Sequence, residues 1–269
     1  MKLVAYQFRV TGNVQQNMEV ICRALRYAAV KKADLIIYPE CALTGYPPRD
    51  LPDAKCFDRA AASEAFRVLQ DQADSLGISI LLGSIAEDQG HFFNRAYLFS
   101  PMQPPRWYGK RALYGWDAEN FTEGKEDGVF EFGGYRIGVR ICYEVRFPEY
   151  FRELYRQKTD LNVVLFDDVS DRDDAARYDL IRGHIRTRAV ENVCPILSVD
   201  AAHPFQTAPT MLTDASGAVL AEMERGREGL MVFDYEPAQP NFGERGRIEI
   251  SDRLAAENAA SCTQRDRHV

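Results

Sequence analysis

The sequence has no apolar run near the roughly 20 residues that a membrane-spanning helix requires. Its first residues, Met1-Lys2-Leu3-Val4-Ala5-Tyr6, alternate like a strand and lack the apolar core and cleavage site of a secretory leader. It has no excess of positive charge. The 33 Lys and Arg against 40 Asp and Glu leave a net charge of −7, which excludes a dedicated nucleic-acid groove or anionic-membrane surface and favours a small-molecule partner. There is no low-complexity tract and no fixed-period repeat, so general disorder and a solenoid are excluded. The six cysteines (Cys22, Cys41, Cys56, Cys142, Cys194 and Cys262) form no CxxC and no metal-ligand spacing. They read as free thiols in a reducing compartment, with the cytoplasm as the expected location. Histidine is scarce as well: only His91, His184, His203 and His268 are present.

What is present is a chain of 269 residues with strand and helix patterns in alternation and no composition break, the mark of one α/β domain with mixed sheets and helices outside. Residues 2–9 read as a strand, and Asn13 as the cap of a helix whose apolar positions Met18, Ile21, Leu25 and Ala28 share one face. Leu35-Ile36-Ile37-Tyr38 is a buried strand that ends at Pro39-Glu40. A helix over 57–76 follows, then strands at 78–85 and 93–99 with Gly90 and Asn94 near the turn between them. A segment ending at Lys110, a polar loop over 114–128 and a hairpin turned by Gly133-Gly134 lead into Cys142. Beyond it come helices at 147–155 and 173–191 and strands at 161–166, 195–199, 210–213, 219–221 and 230–233. The patterned body ends near 235. Residues 236–269, highly charged and weakly periodic, read as an arm packed on the domain or on a partner subunit.

Three predicted strand ends carry a reactive side chain, and strand ends are where sites gather in α/β sheets. They are Tyr38-Pro39-Glu40, Tyr108-Gly109-Lys110 and Gly138-Val139-Arg140-Ile141-Cys142-Tyr143-Glu144. Together with Arg188-Ala189-Val190-Glu191-Asn192 they stand in the order and at the spacing of the nitrilase, or carbon–nitrogen hydrolase, superfamily, which the chain resembles to about residue 235. The resemblance implies an α-β-β-α sandwich, a Glu–Lys–Cys triad at Glu40, Lys110 and Cys142, and a homodimer or larger assembly. A thiol needs a base or a cation to become a nucleophile. Glu40 would take its proton, and Lys110 with the Tyr143 backbone N–H would hold the oxyanion. No metal or cofactor is needed for this chemistry. None of the four histidines is well placed to replace Glu40: His91 reads as a turn residue, His184 lies in an arginine-rich helix, His268 is at the extreme tail, and only His203 could reach a pocket.

Many relatives carry a second acid a few residues before a Phe-x-x-Gly, which here is Phe121-Thr122-Glu123-Gly124. Asp117 and Glu119 are both candidates for it. Glu144 is a further candidate beside the nucleophile, and Arg188 with Glu191 reads as a brace beneath the site. The acidic run Asp167-Asp168-Val169-Ser170-Asp171 either lines the pocket and favours a cationic amide, or caps the helix that follows. Residues 44–51 resemble the same loop of the glutaminase domain of glutamine-dependent NAD synthetases. The expected reaction is hydrolysis of a small amide or N-carbamoyl compound. A nitrile hydrolase, an acyltransferase and a catalytically silent interaction protein are the competing readings.

Overall fold

Strand β1 (Lys2–Gln7) is buried along almost its whole length because both of its faces are covered. Leu3 and Ala5 point into a core between two sheets, while Val4 and Tyr6 point the other way, into a core under helices. The computed structural model describes residues 1–265, and side chains as far as Glu257, so His268 and the side chain of Cys262 lie outside it.

Helix α1 (Val14–Val30) starts at Asn13, whose side chain accepts from Gln16 N at 3.0 Å. It leads to β2 (Leu35–Ile37), α2 (Arg59–Leu76), β3 (Ser79–Asp88), β4 (His91–Ser100) and β5 (Gln103–Gly109). These strands form one six-stranded sheet in the order β12-β1-β2-β3-β4-β5, where β12 spans Gly229–Asp234. The second sheet uses β6 (Val129–Phe132), β7 (Tyr135–Ile141), β8 (Leu161–Leu165), β9 (Ile196–Val199), β10 (Met211–Thr213) and β11 (Val219–Glu222), in the order β11-β10-β9-β8-β7-β6. Each sheet has a parallel centre, β1-β2-β3 in one and β7-β8-β9 in the other, flanked by antiparallel strands. The β7-β8-β9 crossovers are α4 (Pro148–Arg156) and α5 (Ala175–Asn192).

Three apolar layers follow. Leu35, Ile37 and Leu81 of one sheet meet Val139, Leu161, Val163 and Leu197 of the other. Ile21, Leu25 and Leu69 of α1 and α2 cover the outer face of the first sheet, and Phe151, Leu154, Ile181 and Ile185 of α4 and α5 cover that of the second. This is the α-β-β-α sandwich with mixed sheets. Among the described residues no helix is long and apolar enough to cross a membrane.

Three local differences from the sequence reading matter. The turn between β3 and β4 is only Gln89-Gly90, both at positive φ (51° and 81°), the geometry of a two-residue hairpin. It places His91 inside β4 rather than in the turn, and the strand begins two residues before the expected 93. The polar loop contains a one-turn helix, α3 (Trp116–Asn120). The weakly periodic arm contains a helix, α6 (Phe242–Arg265). It is tied to the body by Tyr155 Oη and Lys158 Nζ donating to Asp252 Oδ1 at 2.7 and 2.8 Å.

Candidate active site

Glu40 follows β2 at the point where the two sheets meet, and its backbone N–H donates to Phe166 O, just after β8, at 3.2 Å. Its carboxylate is fully engaged. Oε1 accepts from Lys110 Nζ at 2.9 Å and Asn94 Nδ2 at 2.6 Å, and Oε2 accepts from Asp167 N at 3.0 Å. Burial pushes the Glu40 carboxyl above its ordinary value against the pull of Lys110, with Asp117 adding to the rise. Lys110, at the end of β5, is 1% exposed and also meets Asp117 Oδ2 at 2.6 Å. Burial alone would lower its ammonium, but Glu40 and Asp117 outweigh burial and hold it well above the ordinary lysine value. Asp117 is in turn fixed by Tyr46 Oη, which donates to Oδ1 at 2.7 Å.

The Glu40 turn can sit this close to β3 only because residue 83 is glycine. A Cβ there would lie 2.5 Å from Pro39 O and 2.6 Å from Glu40 Cα, all backbone that cannot swing aside. Gly83→Ala is therefore expected to cost about 1–3 kcal/mol of stability. By displacing Glu40 it should also lower kcat/KM by roughly 10²-fold or more. Chemical denaturation and steady-state kinetics check the pair of effects together.

Cys142 opens the turn that follows β7 and holds a left-handed backbone, φ 47°, unusual for a residue with a Cβ. The turn is kept by Glu144, which accepts from Ile141 N at 2.7 Å, Arg111 N at 2.8 Å and Tyr108 Oη at 2.7 Å. Burial pushes the Cys142 thiol well up, Glu40 pushes it further, and Lys110 opposes both. At rest the proton therefore stays on sulfur, and the site needs an adjacent base.

Cys142 opens on a cavity of about 610 Å³ lined also by Tyr46, Lys110, Asp117, Tyr143, Asp167, Asp168 and His203. The structure thus gathers Glu40, Lys110, Asp117 and Cys142 at one place, with Tyr143, Asp167 and Asp168 on the walls. It does not bring Glu119 there: that side chain sits on the outer side of α3, exposed, while Asp117 of the same helix turns inward. Glu144 is also off the cavity, spending its acceptors on backbone and Tyr108. Arg188 bonds Val145 O and Arg146 O at 3.0 and 3.1 Å and pairs with Glu191 at 2.7 Å, a brace under the nucleophile turn. The helix cap expected of Asp167 or Asp168 is made by Asp174 instead, which accepts from Arg177 N at 2.9 Å. His91 is exposed, His184 lies on α5 away from the cavity, and His203 reaches the rim.

The carbon–nitrogen hydrolase family model matches residues 2–239. The chain belongs to the carbon–nitrogen hydrolase family. It is similar to the 2-oxoglutaramate amidase of Bacillus subtilis, 30% identical over 209 residues that span 75% of this chain and 77% of that one. It is similar to a glutamine-dependent NAD(+) synthetase of Synechocystis over a shorter stretch, 31% identical over 52% of this chain and 27% of the synthetase. In fold it matches a variant of the Nesterenkonia AN1 amidase from the nitrilase superfamily, with a TM-score of 0.80, 21% identity and 96% of each chain covered.

Four residues of this hydrolase site escape the sequence reading: Asn94, Tyr46, Arg49 and Arg177. Asn94 already lies on the strand expected over 93–99, but nothing local in that strand points to its bond with Glu40. Tyr46 lies within residues 44–51, the loop that resembles the glutaminase domain, but nothing there points to its bond with Asp117. The two arginines had no local signal.

Proposed function

We propose that this hydrolase cleaves the C–N bond of a small linear amide through a thioester on Cys142. The observation that carries the reading is the buried Lys110, bonded at once to Glu40 and Asp117 beside the thiol. Glu40 takes the Sγ proton as sulfur attacks the amide carbon. Lys110 and the Tyr143 N–H stabilise the oxyanion, each such donor contributing roughly 3–4 kcal/mol. Collapse breaks the C–N bond, and Glu40 passes its proton to the departing nitrogen. Water then attacks the thioester, giving a proton to Glu40, which returns it to sulfur as the acid leaves. The amidase names of the relatives favour an amide over a nitrile or N-carbamoyl group.

Intact-protein mass spectrometry tests this directly. An adduct of the substrate mass less ammonia should appear on rapid quenching and be absent from Cys142→Ala. No adduct with any simple amide would favour the silent-scaffold reading, and transfer to an added amine rather than water would favour an acyltransferase. Because the raised Glu40 carboxyl must be ionised to act, kcat/KM should fall on acidification at a pH above the ordinary carboxylate range. A profile flat down to pH about 5 would contradict the assignment of Glu40 as base.

Asp117 serves in this reading to fix Lys110 rather than to move protons. Asp117→Asn should lower kcat by about 10²-fold, and Glu119→Gln should stay within about 2-fold of the parent. Equal losses in the two variants would reject the distinction. The same reading places the enzyme in the cytoplasm as a homodimer or larger assembly, with no nucleic-acid or membrane partner. The arm from residue 236 supports the assembly through the exposed Phe242, Ile250 and Leu254 of α6. Light scattering coupled to size exclusion would show a monomer if that is incorrect.

A further inference from the structure

Glu40 is gripped twice by a single peptide unit of the other sheet's loop. The Phe166 carbonyl accepts from Glu40 N at 3.2 Å, and the N–H of the same peptide, that of Asp167, donates to Glu40 Oε2 at 3.0 Å. Oε1 already holds two donors, Lys110 and Asn94, which fill its lone pairs. Oε2 has Asp167 N as its only donor among the described residues, so it is the oxygen with room for the thiol proton. The orientation of the 166–167 peptide therefore decides how the base is aimed and how readily it ionises.

That peptide is fixed from both sides. Before it, Phe166 N donates to Val199 O at 2.8 Å, continuing the β8-β9 pairing. After it, Asp168 N donates to Asp200 Oδ1 at 3.0 Å. Asp200 is fully buried, and the arginines nearby pair with its neighbours instead, Arg49 with Asp167 and Arg177 with Asp168. Its carboxylate is spent on backbone N–H groups of two loops. Oδ1 also accepts from Ala201 N at 2.8 Å and Oδ2 from Ala208 N at 3.2 Å, while its own N–H donates to Thr210 Oγ1 at 2.9 Å. Burial, with Asp168 and Asp167 close by, pushes the Asp200 carboxyl well above its ordinary value, against the pull of the Asp168 and Ala201 N–H groups.

We infer that Asp200 is a positioning residue for the general base: by holding the Asp168 N–H it fixes the 166–167 peptide against Glu40 and so aims Oε2. The inference rests on the reading of Glu40 as the base. The titratable groups that face Glu40 are Lys110 from β5, Asp117 from α3, Cys142 after β7, Asp167 after β8 and the adjoining Cys41. Those that face Asp200 are Asp167 and Asp168, each with its arginine. Loss of Asp200 has opposite signs under two accounts. If its negative charge acted on Glu40, removing that charge would ease ionisation and move the acid limb of kcat/KM to lower pH. If it acts by placing the Asp167 N–H, which favours the carboxylate, removal moves the limb to higher pH.

Steady-state kinetics of the parent, Asp200→Ala and Asp200→Asn between pH about 5 and 8, with a simple amide that the parent hydrolyses, separate these accounts. Asp200→Ala frees Asp168 N. It should lower the plateau of kcat/KM by roughly tenfold or more and move the acid limb upward by about one pH unit. Asp200→Asn still offers a carbonyl oxygen to Asp168 N and Ala201 N and loses only the bond from Ala208 N. It should therefore return the limb to the parent's position, even if it melts at a lower temperature. If the alanine variant does not fold, Asp200→Ser takes its place with the same expectation, since its hydroxyl ends one bond short of the oxygen that Asp168 N meets. A limb that stays put in the alanine or serine variant, or that moves to lower pH, would overturn the inference. So would an asparagine variant whose limb is displaced as far as theirs, and a displaced limb in the asparagine variant does so by itself when neither of the others folds. Failure of the Glu40 reading looks different: the parent itself then shows no acid limb in this range.

Discussion

Cys142→Ala is expected to lose at least about 10⁴-fold in kcat, since the residue forms the covalent intermediate and no other described group at the site can replace it. Its effect on stability should be small. The thiol makes no hydrogen bond with the described residues that hold the turn; those bonds belong to Glu144. Alanine keeps a Cβ at φ 47°, so the left-handed strain persists. Cys142→Gly removes it, and at such a position the relief is roughly 1 kcal/mol. The expected result is therefore two inactive proteins, with the glycine variant unfolding at the same or higher denaturant concentration than the alanine variant. Residual hydrolysis in both variants at more than about a hundredth of the parent rate would sink the assignment of Cys142 as nucleophile. A glycine variant much less stable than the alanine one would show that the turn is not strained.

How far the sequence reveals this site depends on the range of the interactions that build it. The hairpin at 129–141 and the strand ending at Glu40 are written in local pattern, and so the positions of Cys142 and Glu40 at strand tips are legible. Lys110 follows from motif order. Asp117 against Glu119 is not legible, because both lie within a five-residue helix and only the direction of that helix decides which side chain turns inward. The acidic run at 167–171 stands out in the sequence, but its meaning depends on Arg49, 118 residues earlier, which tertiary packing brings to Asp167. The tail illustrates the opposite limit. A helix such as α6, with little apolar contrast around its axis, gives periodicity nothing to detect.

Lys110→Gln should combine a kinetic and a thermodynamic failure. The ammonium is the only cation bonded to Glu40 and to Asp117 among the described residues, at 2.9 and 2.6 Å, and all three groups are buried. Removing one member of a buried ionic cluster leaves the others uncompensated and typically costs 3–5 kcal/mol, here about 4 kcal/mol. For a chain of this size that lowers Tm by roughly 10 °C. Loss of the oxyanion cation adds about 10³-fold in kcat. The pH dependence gives the sign that a simple packing defect would not. Glu40 already sits above its unfolded value, and without Lys110 it rises further. A carboxyl with a raised folded pKa opposes folding only when ionised. Its penalty is absent below the unfolded value, grows as pH climbs towards the folded value and is complete above it. The stability deficit of Lys110→Gln should accordingly be greatest at neutral pH and shrink on acidification. Urea melts of the two proteins at several pH values between about 4.5 and 8 measure it. A deficit that stays constant across that range would mean that Lys110 supports the fold by its packing and not by its charge.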